Sequence, residues 1–153
     1  ARDVLKETFA KHDIERVYVA IVEGGPRVTE GTLRSFLRED ERSLMVRIVG
    51  EHEHGKLAIT HYRVVERGEF YSMLEVTLET GRRNQIRAQF SEQGFPVAGD
   101  ARFGAKSDPI GRLALHARTL GFAHPRTGKK LLFNAPLPEG FQPLPASFVR
   151  RTK

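Results

Sequence analysis

The 153-residue sequence contains no cysteine, which excludes a disulfide scaffold, a thiolate zinc site, an iron–sulfur centre and a cysteine nucleophile together. Long apolar runs are missing too. No stretch approaches the roughly 18 apolar residues of a membrane span, and residues 1–30 lack the ordered segments of a secretory signal, so the expected location is cytoplasmic. What is present is enough for a core. With 39% hydrophobic residues, a chain of this size buries about 70% of its unfolded surface. One domain over 1–153 is therefore expected to need neither metal nor disulfide.

Charge is divided unevenly between the two halves. Residues 1–80 carry 12 Lys+Arg and 15 Asp+Glu, a net −3, whereas residues 81–153 carry 13 and 4, a net +9. A compact segment with that excess sets up a positive field suited to a phosphate backbone. A solvated basic surface is the plainer alternative. A membrane partner fits less well, because the basic residues are spread among Gly, Pro and strand-like segments instead of lining a helix face.

The apolar pattern predicts an α+β domain on a mixed, largely antiparallel sheet with few helices. Asp3–His12 is expected to be a short helix capped by Asp3. Arg16–Glu23 reads as a strand buried on both faces, stopped by Gly24-Gly25-Pro26. Leu44–Val49 and Leu57–Val65 read as strands joined by the polar turn 50–55, and Phe70–Glu79 alternates as a half-buried strand. After Thr80-Gly81 the period changes to that of a helix over Asn84–Gln93, ended by Gly94. Leu113–Leu120 and Lys130–Ala135 read as two more strands around the turn His124–Gly128. The tail, with Pro136, Pro138, Pro143 and Pro145, should run over the surface as irregular chain.

Thr80-Gly81-Arg82-Arg83-Asn84-Gln85-Ile86-Arg87 places three arginines and two amides where a strand enters a helix. Unpaired N–H groups and a positive dipole suit that junction to a phosphate or carboxylate, although solvated arginines on a surface turn would have the same sequence. Arg87 differs from its neighbours, lying between Ile86 and Phe90 near the packed face, where a guanidinium needs a buried carboxylate. His52 and His54 in an exposed turn lack a third ligand at a useful spacing, so no metal is expected. No Gly-x-Ser-x-Gly elbow supports a serine triad. Gly99–Gly104 lacks the Walker and dinucleotide spacings, and is read as a turn whose Asp100 caps a neighbouring segment.

Four segments in order resemble the C-terminal half of an RNA pseudouridine synthase of the RluA type. They are L-E-T-G-R-R-N-Q-I-R-A-Q-F, G-F-P-V-A-G-D-A-R-F-G, R-L-A-L-H-A-R-T-L-G-F-A-H-P-R-T-G-K and F-N-A-P-L-P-E-G-F. Earlier in the chain, R-V-Y-V-A-I-V-E-G resembles the family's tyrosine-bearing strand and G-K-L-A-I-T-H-Y-R-V-V-E-R its central hairpin. The resemblance implies isomerisation of uridine in ribosomal or transfer RNA to its C-glycoside, without cofactor or metal. It implies that Tyr18 stacks on a flipped-out base, that Arg87 pairs with the nucleophilic aspartate, and that Leu115 packs against the site. Arg82, Arg83, Asn84, Gln85, Arg102, His116, Lys129 and Lys130 are the expected RNA contacts.

The family's aspartate motif, H-R-L-D, occurs nowhere in the sequence. Asn84 and Gln89 stand where histidine is common in the family, and Phe103 where tyrosine is common. The chain is accordingly expected to be a fragment, inactive alone, whose nucleophile sits on a missing N-terminal segment that could be a separate chain. Without that segment, an exposed sheet edge and an unpaired Arg87 are expected. Two alternatives are a non-catalytic RNA-binding module derived from the same fold and an unrelated basic structural protein.

Overall fold

The computed structural model describes residues 15–123 and 126–151. The expected helix Asp3–His12 lies outside the described residues, as do His124 and Pro125 of the expected turn. Seven strands form one sheet: β1 (Glu15–Glu23), β2 (Glu30–Glu39), β3 (Val46–Val49), β4 (Lys56–Arg67), β5 (Tyr71–Leu78), β6 (Leu115–Ala123) and β7 (Lys130–Asn134). Their order is β3-β2-β4-β5-β1-β6-β7, and every pairing is antiparallel. A helix, α1 (Gln85–Glu92), and a 3-10 turn at Ala101–Phe103 complete the regular structure of the described residues. The α+β expectation holds. No helix among the described residues is long and apolar enough to cross a membrane.

β1 is an inner strand, between β5 and β6, and Val19, Ala20, Ile21 and Val22 are all buried, as a continuous β-branched and apolar run demands when both faces are covered. β2 was not foreseen. Its sequence, E-G-T-L-R-S-F-L-R-E, has Gly at its second position and carries four charges, yet Gly31, Leu33, Ser35 and Leu37 alternate inward against exposed Thr32, Arg34 and Arg38. Its presence corrects the expected hairpin of residues 44–49 with 57–65. β3 and β4 each pair with β2, on its opposite edges, and not with one another. The β2–β3 turn is closed by Asp40, whose carboxylate accepts the N–H groups of Arg42 and Ser43 at 2.9 Å each. Those backbone donors, Ser43 first and then Arg42, hold the Asp40 carboxyl below its ordinary value.

α1 ends at Gly94, whose φ of 89° suits glycine. Gly94 N–H donates to Ser91 O at 3.0 Å and Phe95 N–H to Phe90 O at 3.1 Å, a Schellman closure. The Phe90 and Phe95 rings accompany it, with centroids 5.2 Å apart. The tail is irregular, as foreseen, but it also forms a packing layer. Phe141 is fully buried, and Phe148 stacks on Tyr71 with centroids 5.8 Å apart and planes 7° from parallel. The sheet therefore carries α1 on one face and the tail on the other. β7 is an edge strand with Leu132 and Phe133 more than half exposed, at 54% and 57%.

Where β1 and β6 part, after the Ala20–Leu115 pair, the segment Val97-Ala98 enters between them. Ile21 N–H donates to Ala114 O, Ala98 N–H to Ile21 O, and Ala114 N–H to Ala98 O, each at 2.9 Å. Gly99 follows with φ 80°, and a Cβ built on it would overlap the Arg112 carbonyl oxygen. Gly99→Ala is therefore expected to destabilise the protein by about 2–4 kcal/mol, read as a lowered urea midpoint, because both the left-handed backbone and the close approach oppose a side chain.

Candidate active site

Antiparallel register shows which side chains share a face, because directly paired residues point the same way. Tyr62 pairs with Val76, Val76 with Tyr18, Tyr18 with Ala117, and Ala20 with Leu115. Tyr62 lies under α1, with its ring 6.2 Å from Phe90. Tyr18 and Leu115 therefore lie on the α1 face, as diagonal neighbours about 7–8 Å apart across β1 and β6. Both are partly buried and pack against the main core.

α1 is fastened to this face by two buried amides. Gln85 accepts from Thr80 Oγ1 at 2.7 Å and from Arg82 N–H at 3.0 Å, and donates to Thr60 Oγ1 at 2.8 Å and Ile59 O at 3.1 Å. Gln89 donates to Ser35 Oγ at 2.7 Å and to Ala58 O at 3.1 Å, and accepts from Thr60 Oγ1. With 2% and 1% of their surfaces exposed, both amides are satisfied within the protein. Gln85 was expected to contact RNA, and that expectation is corrected: its polar atoms are spent on anchoring the helix.

The last turn before α1 holds Asn84 in a left-handed conformation, φ 55°, which asparagine tolerates better than most residues. Its side chain does not cap the helix; Oδ1 accepts instead from Arg87 Nη1 at 3.2 Å. Arg87 also makes a two-pronged ion pair with Asp100, Nε to Oδ2 at 2.9 Å and Nη2 to Oδ1 at 2.8 Å. Its guanidinium lies over the Phe103 ring, 4.9 Å from the centroid. Hydrogen bonding to Asp100 raises Arg87 further above its ordinary value, so it is charged at every working pH.

The Asp100 side chain has no exposed surface, and that of Arg87 is 20% exposed. Two expectations are corrected here. Arg87 is not unpaired, because residue 100 supplies the buried carboxylate its position demands. Asp100 in turn makes no capping hydrogen bond at the 3-10 turn it precedes, both oxygens being held by Arg87.

The remaining basic residues are dispersed. Arg82 donates Nε to Leu57 O at 2.9 Å, and Arg83 forms an exposed ion pair with Glu39 at 3.2 Å. Both line a cleft of about 680 Å³ with Arg38, His54 and Lys56, and neither Tyr18, Arg87 nor Leu115 lines it. Exposed Arg102 reaches Met45 Sδ at 3.0 Å. His116, paired with Val19, belongs to the opposite face, where Nε2 lies 3.2 Å from Ala135 O and the ring meets Phe141 edge-on. Lys129 is exposed, and the side chain of Lys130 lies outside the described part. Among the described residues, no group of three or more His, Asp or Glu could hold a metal ion.

Comparison with known proteins adds the family. A sequence model described as RNA pseudouridylate synthase matches residues 1–92. An uncharacterized RNA pseudouridine synthase of Chlorobaculum parvum is 38% identical over 157 residues, covering 90% of this chain and 48% of that protein. A ribosomal large subunit pseudouridine synthase D of Zymomonas mobilis is 36% identical over 147 residues, covering 90% of this chain and 46% of that protein. The chain thus spans about half the length of the curated relatives it matches. In structure it resembles human RNA pseudouridylate synthase domain containing 1. The TM-score is 0.73 at 23% identity, with 88% of this chain and 59% of that one covered, a likeness of fold.

Proposed function

The chain belongs to the RNA pseudouridylate synthase family, and from that premise we propose that it forms the Tyr18–Arg87–Leu115 part of a site that isomerises uridine in ribosomal or transfer RNA. The observation that carries this reading is the convergence of three features. Tyr18 and Leu115 are diagonal neighbours on the α1 face, and the Leu115 end of β6 is hydrogen-bonded through Ala114 and Ala98 to the segment bearing Asp100. Asp100, in turn, holds Arg87.

A flipped-out base needs an aromatic or apolar surface, which Tyr18 and Leu115 offer, and a nearby cation keeps a catalytic carboxylate ionised. In the reaction the N1–C1′ bond breaks, the base turns, and a C5–C1′ bond forms; the C5 proton leaves and N1 takes one up. The atoms balance without a cofactor. The nucleophilic aspartate is supplied from outside these 153 residues, on the N-terminal segment of the same protein or on a separate chain. Arg82, Arg83, Asn84, Arg102 and Lys129 contribute phosphate contacts, and the reaction takes place in the cytoplasm.

Because the C5 hydrogen is lost, tritium release from RNA labelled at uridine C5 measures the reaction. The chain complemented by a segment bearing H-R-L-D is expected to release tritium, and no release would contradict the reading. Within that assay, Tyr18→Ala should lower activity about 10- to 100-fold, the loss expected from one base-stacking surface. A non-catalytic RNA-binding module is the second reading, favoured by the absence of H-R-L-D from the sequence. It would show salt-sensitive RNA binding with no release in either condition.

A further inference from the structure

Arg87 has five N–H donors. Asp100 takes one from Nε and one from Nη2, and Asn84 takes one from Nη1. One N–H on each terminal nitrogen is left without an acceptor among the described residues. The guanidinium plane is fixed from three sides, by Asp100, by Asn84 and by the Phe103 ring. An arginine that merely neutralised a buried acid would need only the first of these.

Asp100 itself has no exposed surface, and both its oxygens are engaged. It cannot reach a substrate, so any role in the reaction must act through Arg87. We propose that Asp100 is a positioning residue: it holds Arg87 so that the two unengaged N–H groups are offered to the nucleophilic carboxylate. This rests on the synthase reading given above.

Two consequences follow from the chemistry. A guanidinium that has lost its two-pronged anchor can turn on its long stem, and misplacement by about 1 Å at a reacting centre costs about 100-fold in rate. The same turn withdraws the cation that keeps the nucleophilic carboxylate ionised, so once the anchor is lost that carboxylate ionises at higher pH.

The test is Asp100→Asn in the chain complemented with the H-R-L-D segment, assayed by tritium release across pH. The expected result is a kcat lowered about 100-fold, an unchanged KM for RNA, and an acid limb of the kcat profile displaced to higher pH. Phe103→Leu keeps both charges and removes the ring, and serves if the first variant does not fold. It should lower kcat about 10-fold with the acid limb unmoved, a smaller loss because two of the three restraints on the guanidinium remain. A fall in melting temperature with kcat and the acid limb unchanged for Asp100→Asn would make the residue structural only and overturn the inference. Full kcat in a folded Phe103→Leu would likewise overturn the three-sided restraint. If the complemented wild type releases no tritium, the synthase reading fails and takes this inference with it, an outcome distinct from failure of the variants alone.

Discussion

Replacing Arg87 with methionine is expected to cost the fold about 3–5 kcal/mol at neutral pH, the loss that follows when one partner of a buried ion pair is removed. Methionine retains much of the stem that packs on Phe103 but offers nothing to Asp100, whose carboxylate has no exposed surface and whose described hydrogen bonds all come from Arg87. A carboxylate left alone in such a place has lost its hydrogen-bond donors and its counter-charge together, with no water to replace them.

Urea unfolding at neutral pH should show the midpoint of Arg87→Met lowered accordingly, and that of Arg87→Lys, which keeps a positive charge without the two-pronged geometry, lowered by less. Equal losses in the two variants would mean that the loss is one of packing and not of charge.

The second large effect concerns catalysis. The chain alone is expected to be slower than the complemented chain by at least about 10⁴-fold, the scale on which removing a nucleophile acts even when binding and positioning survive. Tyr18 and Leu115 can hold a base, and Arg87 can hold a carboxylate, but none of the three can attack C1′. Asp100 cannot substitute, being buried behind the arginine it orients. Substituting Asp→Asn in the complementing segment should return the rate to that of the chain alone.

Some of this was legible in the residues. The helix expected over Asn84–Gln93 is α1 with both its caps, because a change of period and a glycine after the last turn are local signals. That Arg87 requires a buried carboxylate was readable from its place between Ile86 and Phe90. Which carboxylate was not, since Asp100 lies 13 positions along the chain and the contact is tertiary. β2 escaped notice because its four charges mask a short alternation of Leu33, Ser35 and Leu37.

Gln85 escaped for a different reason. An amide beside two arginines reads as a surface contact, and only the converging Thr60 and Thr80 hydroxyls make it a buried anchor. Proline content, similarly, foretold the tail's irregular path but not that Phe141 and Phe148 would make it a layer of the core. The roles of Tyr18 and Leu115 came from resemblance to a family. The register then brings the two onto one face.

The most direct test of the central claim is tritium release from RNA labelled at uridine C5, run with the chain alone and with the chain plus a segment bearing H-R-L-D. Release that appears only on complementation is the expected result, placing the nucleophile outside these residues and the rest of the site within them. Release by the chain alone would contradict the account, because it would mean that a group within the 153 residues performs the step here assigned to the missing aspartate.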